Sequence, residues 1–142
     1  MKTLLLDANV LLALAWPNHP FHRRALGRID LRSRLRWGTC LLTQAAFVRL
    51  SSNPAVIPGA KSPAEAGQML QQLIEDRDHV FLEARKSARP QLGALLRRCQ
   101  GHNQVNDAFL IWLASVHGGT VLTFDAPLRY LAPSKDLVEL IA

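Results

Sequence analysis

The stretch TLLLDANVLLALAWP, residues 3–17, decides the fold class of this chain. Residues 3–6 form a short, mostly apolar run that ends at an acid, which predicts a buried strand. Residues 8–15 are predicted to form a helix that ends before Pro17, because proline disfavours helical backbone at the preceding residue. A strand that leads directly into a helix is the first half of an α/β unit.

The rest of the 142-residue chain continues this alternation of strands and helices. The further predicted strands cover residues 37–42, 80–82, 120–123 and 137–141. The further predicted helices cover residues 21–36, 44–52, 62–77, 90–98 and 103–117. Such an alternation indicates an α/β fold with three layers, α/β/α, around a mostly parallel central sheet. The sequence contains no internal repeat and no linker, so we expect a single domain over residues 1–142.

Local signals support several of the predicted helix ends. Ser62 can cap the helix that follows it, Pro63 suits the first helical position, and Glu65 completes a capping box. Thr43 can cap the helix that begins at residue 44, and Gly118 can end the long apolar helix.

The composition limits the class of protein. Apolar residues make up 49% of the chain, which is enough for one hydrophobic core. No apolar run approaches the ~18–20 residues of a membrane span, and the amino-terminal residues lack the pattern of a secretory signal. We therefore expect a soluble, cytoplasmic protein that does not associate with membranes. Cys40 and Cys99 lack the spacing of a metal site, so we expect two free thiols.

Arginine is concentrated in one part of the chain. The formal net charge is +6, and residues 19–49 contain seven arginines against one acid, Asp30. A guanidinium group can bind phosphate through two donors at once, so this segment is a candidate nucleic-acid-binding surface; a solvated helix face is the alternative. The candidate nucleic-acid-binding residues are Arg23, Arg24, Arg28, Arg32, Arg34, Arg36 and Arg49.

Three acids stand in apolar surroundings. Asp7 is the only charged residue in residues 3–18 and Asp107 the only one in residues 101–117, while Asp125 closely follows an apolar strand. Asp7 and Asp125 are therefore expected at the carboxyl edge of a parallel sheet, where open α/β folds bind ligands. Asp107 falls in the first turn of its helix, where the helix dipole favours a negative charge.

If the three carboxylates converge, their repulsion raises at least one pKa, and a hard cation would relieve that repulsion. Mg²⁺ prefers oxygen ligands and is usually held by one or two carboxylates together with water and phosphate. We therefore expect Mg²⁺, with Mn²⁺ as an alternative, at Asp7, Asp107 and Asp125. Each acid also has a purely structural interpretation: Asp7 as a helix cap, Asp107 as a partner of the helix dipole, and Asp125 as a turn residue.

With these residues identified, the chain resembles the VapC-type toxins of the PIN-domain family. The similar segments are LLLDANVLLAL (4–14) with HPFH (19–22), WGTCLLTQAAFVRLSSNPAV (37–56) and VNDAFLIWLASVHGGTVLTFDAPL (105–128). They occur in the family's order and cover most of the chain. The resemblance implies a metal-dependent endoribonuclease that is inhibited by a cognate antitoxin protein and forms a homodimer.

The resemblance also implies roles for individual residues. Asp7, Asp107 and Asp125 match three of the family's acids, and Asn9 matches its polar residue after the first acid. The family's second acid, often Glu, falls on Gln44, which supplies a carbonyl oxygen but no negative charge. We keep Gln44 among the catalytic candidates, since an amide can still hold a cation or a water molecule. The departure is a natural subfamily feature, a change that weakens metal affinity, or an engineered inactivation.

The expected reaction is in-line attack of an activated water molecule on the scissile phosphate, which leaves a 5′-phosphate. Asn9, Asn106 and Thr123 are candidates for orienting a ligand or a water molecule, with cap or turn roles as the alternative. His19 and His22 are candidates for RNA contacts or for proton transfer, with ordinary surface histidines as the alternative.

Two other functions fit parts of the sequence. The first is a PIN-like protein that binds RNA or an antitoxin without cutting, with Gln44 as the distinguishing feature. The second is a phosphatase with a nucleophilic aspartate at Asp7. That class normally has another acid two residues later, where this chain has Asn9.

Overall fold

The structure is a computed structural model that describes residues 2–29 and 35–142. The candidate RNA-binding residues Arg32 and Arg34 lie outside the described residues. Within these ranges, no helix combines the length and the apolar character needed to cross a bilayer.

The described residues form one parallel sheet. Its strands are β1 (Thr3–Leu6), β2 (Arg36–Thr39), β3 (His79–Phe81), β4 (Thr120–Thr123) and β5 (Val138–Leu140). Their order across the sheet is β3-β2-β1-β4-β5, and every neighbouring pair is parallel. All five carboxyl ends therefore lie along the same edge of the sheet, as the sequence predicted for Asp7 and Asp125.

Helices cover both faces of this sheet. In the described part of the chain they are α1 (Ala8–Ala15), α2 (His22–Ile29), α3 (Leu41–Ser51), α4 (Pro63–Ile74), α5 (Arg89–Arg98), α6 (Val105–Val116) and α7 (Leu128–Leu131). The first four helices share one apolar core with the sheet, and the last three share another. Because side chains alternate along a strand, Leu4 and Leu6 enter the first core and Leu5 enters the second. The predicted three-layer α/β/α fold is confirmed.

The capping box predicted at the start of α4 is present. The Ser62 hydroxyl accepts a hydrogen bond from the Glu65 backbone N–H at 3.2 Å, and the Glu65 carboxylate accepts one from the Ser62 N–H at 3.0 Å. These bonds satisfy two amide groups that the first turn of a helix leaves without partners.

The helix predicted over residues 21–36 is wrong at its carboxyl end. α2 ends at Ile29, and Arg36 is the first residue of β2, where it pairs with Thr3 of β1. The helical spacing of Leu26, Ile29 and Leu35 was a local signal. Pairing with a central strand outweighs such a signal, because it satisfies backbone groups and buries Trp37 in the core.

The boundary between β2 and α3 also differs from the prediction. The strand ends at Thr39 rather than at residue 42, and α3 begins at Leu41. Thr43 does not precede the helix: it is the third helical residue, and its hydroxyl accepts a hydrogen bond from the Cys40 N–H at 3.0 Å. The apolar residues Leu41 and Leu42 extended the predicted strand, although both are exposed at the start of the helix.

The short α7 was not predicted, since a helix of one turn has no detectable periodicity. α4 ends three residues before its predicted end, and α6 occupies the interior of its predicted range. These differences at helix ends leave the positions of the three acids unchanged.

The close packing of β4 beside β1 can be tested at Gly119. A Cβ atom at this buried glycine would lie 2.5 Å from the Thr3 carbonyl oxygen. We expect Gly119→Ala to lower the free energy of unfolding by about 2 kcal/mol, in the range of overpacked cores. The matched control is Gly27→Ala in the exposed part of α2, where a Cβ meets no atom within 4 Å. That variant should gain about 0.5–1 kcal/mol. Urea denaturation of both variants measures the difference, and equal effects would contradict the described register.

Candidate active site

Two of the three acids flank the topological switch point of the sheet, where the strand order reverses. β1 lies between β2 and β4, an arrangement in which open α/β sheets bind ligands at the carboxyl ends of the strands. Asp7 directly follows β1, and Asp125 lies two residues after the end of β4. Asp107 occupies the first turn of α6, which packs against both strands.

A buried threonine connects Asp7 to Asp125. The Thr123 hydroxyl donates a hydrogen bond to Asp7 Oδ2 at 2.7 Å and accepts one from the Asp125 backbone N–H at 3.0 Å. Thr123 is fully buried at the end of β4. This hydroxyl therefore fixes the orientation of the Asp7 carboxylate and the backbone position of Asp125.

Asp7 also caps α1, as its structural interpretation predicted, but only one of its two carboxylate oxygens serves as the cap. Asp7 Oδ1 accepts a hydrogen bond from the Ala8 N–H at 2.7 Å. The other oxygen, Oδ2, is the one that Thr123 holds. The cap thus explains the orientation of the side chain but not why the residue lies beside two further acids.

The three carboxyl groups interact electrostatically. Burial raises the pKa of Asp7, the hydrogen bonds from Thr123 and Ala8 lower it, and the charge of Asp125 raises it further. Burial raises the pKa of Asp107 to about 6, and the charges of Asp7 and Asp125 contribute to this rise. A like charge raises a carboxyl pKa only from nearby, so Asp7 and Asp125 lie near Asp107 and near each other at the carboxyl edge of the sheet.

The two candidate asparagines have different environments. Asn9 lies in the first turn of α1, and among the described residues its buried Oδ1 has no hydrogen-bond partner. An unpaired buried oxygen costs about 1–3 kcal/mol, so it requires a partner such as water or a cation. Asn106 is exposed in the first turn of α6 beside Asp107.

The donor set of this region fits a hard cation, although it does not form a closed cage. The carboxylates of Asp7, Asp107 and Asp125 and the unpaired oxygen of Asn9 are all oxygen donors, which Mg²⁺ and Mn²⁺ prefer. In the described ranges, no three Asp, Glu, His or Cys side chains are close enough together to hold one ion directly. A cation here would need to draw the acids together or bind some of them through water, and Mg²⁺ characteristically keeps several waters.

Gln44 takes part in a hydrogen-bonded chain of its own. Its side-chain Nε2 donates to Thr39 Oγ1 at 2.9 Å, and Thr39 Oγ1 lies 2.7 Å from His79 Nε2. Burial lowers the pKa of His79, partly offset by the charge of Asp76, so the ring is neutral near pH 7. A neutral ring can accept the Thr39 O–H, which leaves the Thr39 oxygen free to accept from Gln44.

This arrangement suits an amide at position 44. A carboxylate has no hydrogen to donate, so Glu at this position would need the Thr39 O–H for itself, and the His79 Nε2 would then have to carry a proton. Gln44 is thus integrated into the fold by a fully buried partner, Thr39.

The candidate RNA-binding arginines that the structure describes lie in separate elements, α2, β2 and α3. Arg36 begins β2 at the amino edge of the sheet, opposite the edge that carries Asp7. Arg28 forms a bidentate ion pair with Glu139, with the second contact at 3.0 Å. The remaining candidates are exposed: Arg23 and Arg24 in α2, and Arg49 in the last turn of α3.

Sequence reasoning missed Thr39 and His79. They lie 40 residues apart in the chain, and only the pairing of β2 with β3 brings them together. The single available signal was the position of Thr39 at the end of a strand, close before Gln44.

The charge interactions of Asp107 predict a dependence of stability on pH. A carboxyl group with a raised pKa binds its proton more tightly in the folded chain, so this contribution to stability is complete below about pH 4 and is lost as the pH rises through about 6. We expect Asp107→Asn to stabilise the metal-free protein at pH 7.5 by about 1 kcal/mol, after allowance for solvent screening, and to have little effect at pH 4.5.

Urea denaturation in EDTA at the two pH values measures this difference. The exposed Asp136, at the amino edge beside β5, supplies the control variant Asp136→Asn. A gain from Asp107→Asn that was the same at both pH values would contradict the described charge interactions.

Comparison with known proteins supports the same interpretation of the fold. The PIN domain family matches residues 4–132. Ribonuclease VapC38 of Mycobacterium tuberculosis is 40% identical over 139 residues, which cover 96% of each chain. Ribonuclease VapC39 of the same species is 37% identical over 98% of this chain and 99% of its own, and Ribonuclease VapC44 is 36% identical over 90% and 89%. The chain therefore belongs to the PIN-domain family, among its VapC-type members.

Proposed function

We propose that this chain is an endoribonuclease and the toxin component of a type II toxin–antitoxin pair. The observation that carries the proposal is the set of three acids, Asp7, Asp107 and Asp125, at the carboxyl edge of the sheet: the charge of Asp125 raises the pKa of Asp7, and the charges of Asp7 and Asp125 raise the pKa of Asp107. The relatives are named ribonucleases, which supports RNA as the substrate.

We propose Mg²⁺ as the cofactor, with Mn²⁺ able to replace it. Asp7, Asp107 and Asp125 would hold the ion, and Asn9 and Asn106 would orient ligands or water beside it. When bound, the ion would neutralise the repulsion among the acids, polarise the scissile phosphate and lower the pKa of an attacking water molecule.

The residues of the chain have separate tasks in this proposal. Thr123 holds Asp7 Oδ2 in one orientation, so that this carboxylate is positioned before any ligand arrives. Asp107 must lose its proton to act as a ligand, and its pKa of about 6 allows this at neutral pH. The product would be an RNA end that carries a 5′-phosphate.

The partners follow from the family. We propose an RNA substrate, a cognate antitoxin protein that blocks the acids, and a homodimer, all in the cytoplasm. Arg23 and Arg24 lie in α2, whose amino-terminal end contacts the segment just before Asp125, so they are the arginines best placed to meet RNA near the acids. Arg28 could bind phosphate only by exchanging its bond to Glu139.

A second candidate function is an RNA- or antitoxin-binding protein with weak or no cleavage. The observation in its favour is that Gln44 brings no charge to the site. The phosphatase alternative gains nothing from the comparisons, and Asn9 stands where that class needs an acid.

The proposed ribonuclease activity can be tested by removing single charges. We expect Asp7→Asn and Asp125→Asn each to reduce Mg²⁺-dependent cleavage of total RNA by at least ~100-fold, because even the partners of metal ligands account for 10- to 100-fold effects. Asparagine keeps the cap of α1, so the fold should persist. The readout is the rate of cleavage and the mapped 5′ ends. Removal of Mg²⁺ with EDTA should abolish cleavage by the unmodified chain as well.

The control for this experiment is Asp136→Asn, which removes an exposed charge far from the site and should cleave as the unmodified chain does. Full activity of both site variants would refute the role of the acids in catalysis.

Position 44 distinguishes the two candidate functions. We expect Gln44→Glu to change the cleavage rate at saturating Mg²⁺ by less than about tenfold, because Gln44 is already held by Thr39. The same substitution adds a negative charge close to Thr39 and His79 and should therefore raise the pKa of His79; NMR titration of the ring measures this. A gain of 100-fold or more in the cleavage rate would show that Gln44 greatly reduces the activity of the native chain. That result would favour the RNA- or antitoxin-binding function.

A further inference from the structure

An aromatic cluster lies on the chain directly beside the acids. The rings of Phe21 and Phe124 are 4.9 Å apart between centroids and tilted by 40°. The guanidinium carbon of Arg24 lies 4.7 Å from the centre of the Phe21 ring and 5.4 Å from that of Phe124. Phe21 is 39% exposed, so part of this residue is accessible to solvent.

The chain holds this cluster in place from two sides. His19 Nδ1 accepts a hydrogen bond from the Phe21 backbone N–H at 3.0 Å, which fixes the segment that leads into α2. Arg24 Nε donates to the Ala142 carbonyl at 2.9 Å, and another Arg24 nitrogen donates to the Ile141 carbonyl at 3.3 Å. These bonds hold the Arg24 guanidinium beside the two rings and restrict the orientation of the Phe21 ring.

Helix capping does not explain a phenylalanine at this position. Phe21 immediately precedes α2, and its carbonyl accepts the Ala25 N–H at 3.0 Å. Ser, Thr, Asp and Asn are the favoured residues before a helix, because their side chains satisfy free amide groups. The Phe21 ring supplies no such bond, and its 39% exposure leaves part of it free to contact a ligand.

The position of Phe124 relates the cluster to the acids. Phe124 lies between Thr123, which binds Asp7, and Asp125. It packs with the core on the α1 side of the sheet, whereas Thr123 directs its hydroxyl to Asp7. The cluster and the acids thus lie at the same edge of the sheet, where β4 ends.

We infer that Phe21, supported by Phe124 and Arg24, is a stacking platform for one base of a single-stranded RNA whose backbone crosses the acids. This inference rests on the proposed ribonuclease function and adds a substrate-positioning residue to it. A flat ring stacks on any base, since every base has a π face, and an anchored arginine adds a positive charge beneath the stack. The platform holds substrate next to the reacting phosphate without itself taking part in the chemistry.

The test compares two phenylalanines of similar exposure. Phe81 is 44% exposed at the opposite margin of the sheet, in β3. The probe is a short single-stranded RNA that carries a terminal fluorescein and spans a cleavage site mapped with the unmodified chain. We expect Phe21→Ala to raise KM about tenfold, the order of one base–aromatic stack, with kcat changed by less than about twofold. Phe81→Ala should change neither value.

Two further variants separate stacking from simple apolar contact. Phe21→Trp should keep the affinity of the native chain, whereas Phe21→Leu, which has no ring, should behave as Phe21→Ala does. Binding of the same RNA to these variants in an Asp7→Asn background, where we expect no cleavage, gives the affinity directly. Thermal melting confirms that each variant is folded, as expected for an exposed side chain.

An abasic scan locates the stacked base. A single abasic nucleotide is moved along the RNA, and at one position near the cleavage site the native chain should lose about tenfold in affinity. At that position Phe21→Ala should lose nothing further, because the two changes remove the same contact.

The outcomes distinguish this inference from the proposed function. If the native chain cleaves RNA but Phe21→Ala has the same KM as Phe81→Ala, or no abasic position is coupled to Phe21, the platform is refuted and the ribonuclease stands. If Phe21→Ala binds RNA normally but escapes inhibition by antitoxin, the cluster is a protein-docking site and the inference is wrong. If the native chain neither binds nor cleaves RNA, both the function and the platform are refuted.

Discussion

The parallel pairing of β1 with β4 is the constraint on which the site depends. It aligns Leu6 with Leu122, and this register brings the Thr123 hydroxyl to the carboxylate of Asp7 across 116 positions of sequence. The same short β4 then leads into Phe124 and Asp125. One contact between two four-residue strands thus positions an acid, its orienting hydroxyl, a second acid and an aromatic ring.

The remaining features of the edge work against stability. Three carboxyl groups repel one another, Asn9 buries an oxygen that has no partner among the described residues, and Phe21 exposes a ring before a helix. Local choices elsewhere agree with the fold, as the capping box of α4 shows. A concentration of unfavourable choices in one place is what a functional site in an otherwise consistent fold should show.

Much of this arrangement is predictable from the sequence, and the rest is not, for a physical reason. Strand-to-helix alternation and isolated acids are local patterns, so the three layers and the positions of Asp7 and Asp125 follow from them. The chain Gln44–Thr39–His79 arises from pairing between distant strands, and no local pattern encodes it. The arginines show the limit of prediction most clearly. Arg28 and Arg36 are close in sequence, but tertiary contacts place Arg28 in an ion pair with Glu139 and Arg36 at the amino edge of the sheet, away from the acids.

The half-buried acid of α6 has a thermodynamic consequence for ligand binding. Because Asp107 has a pKa of about 6, a sizeable fraction of metal-free molecules carries a proton there in mildly acidic solution. A cation that recruits this carboxylate must expel the proton, so the heat of binding will include the ionisation heat of the buffer and will differ between buffers at equal pH. A proton and a divalent cation would thus compete for the Asp107 carboxylate, and acidification alone would weaken the binding of such a cation at this edge.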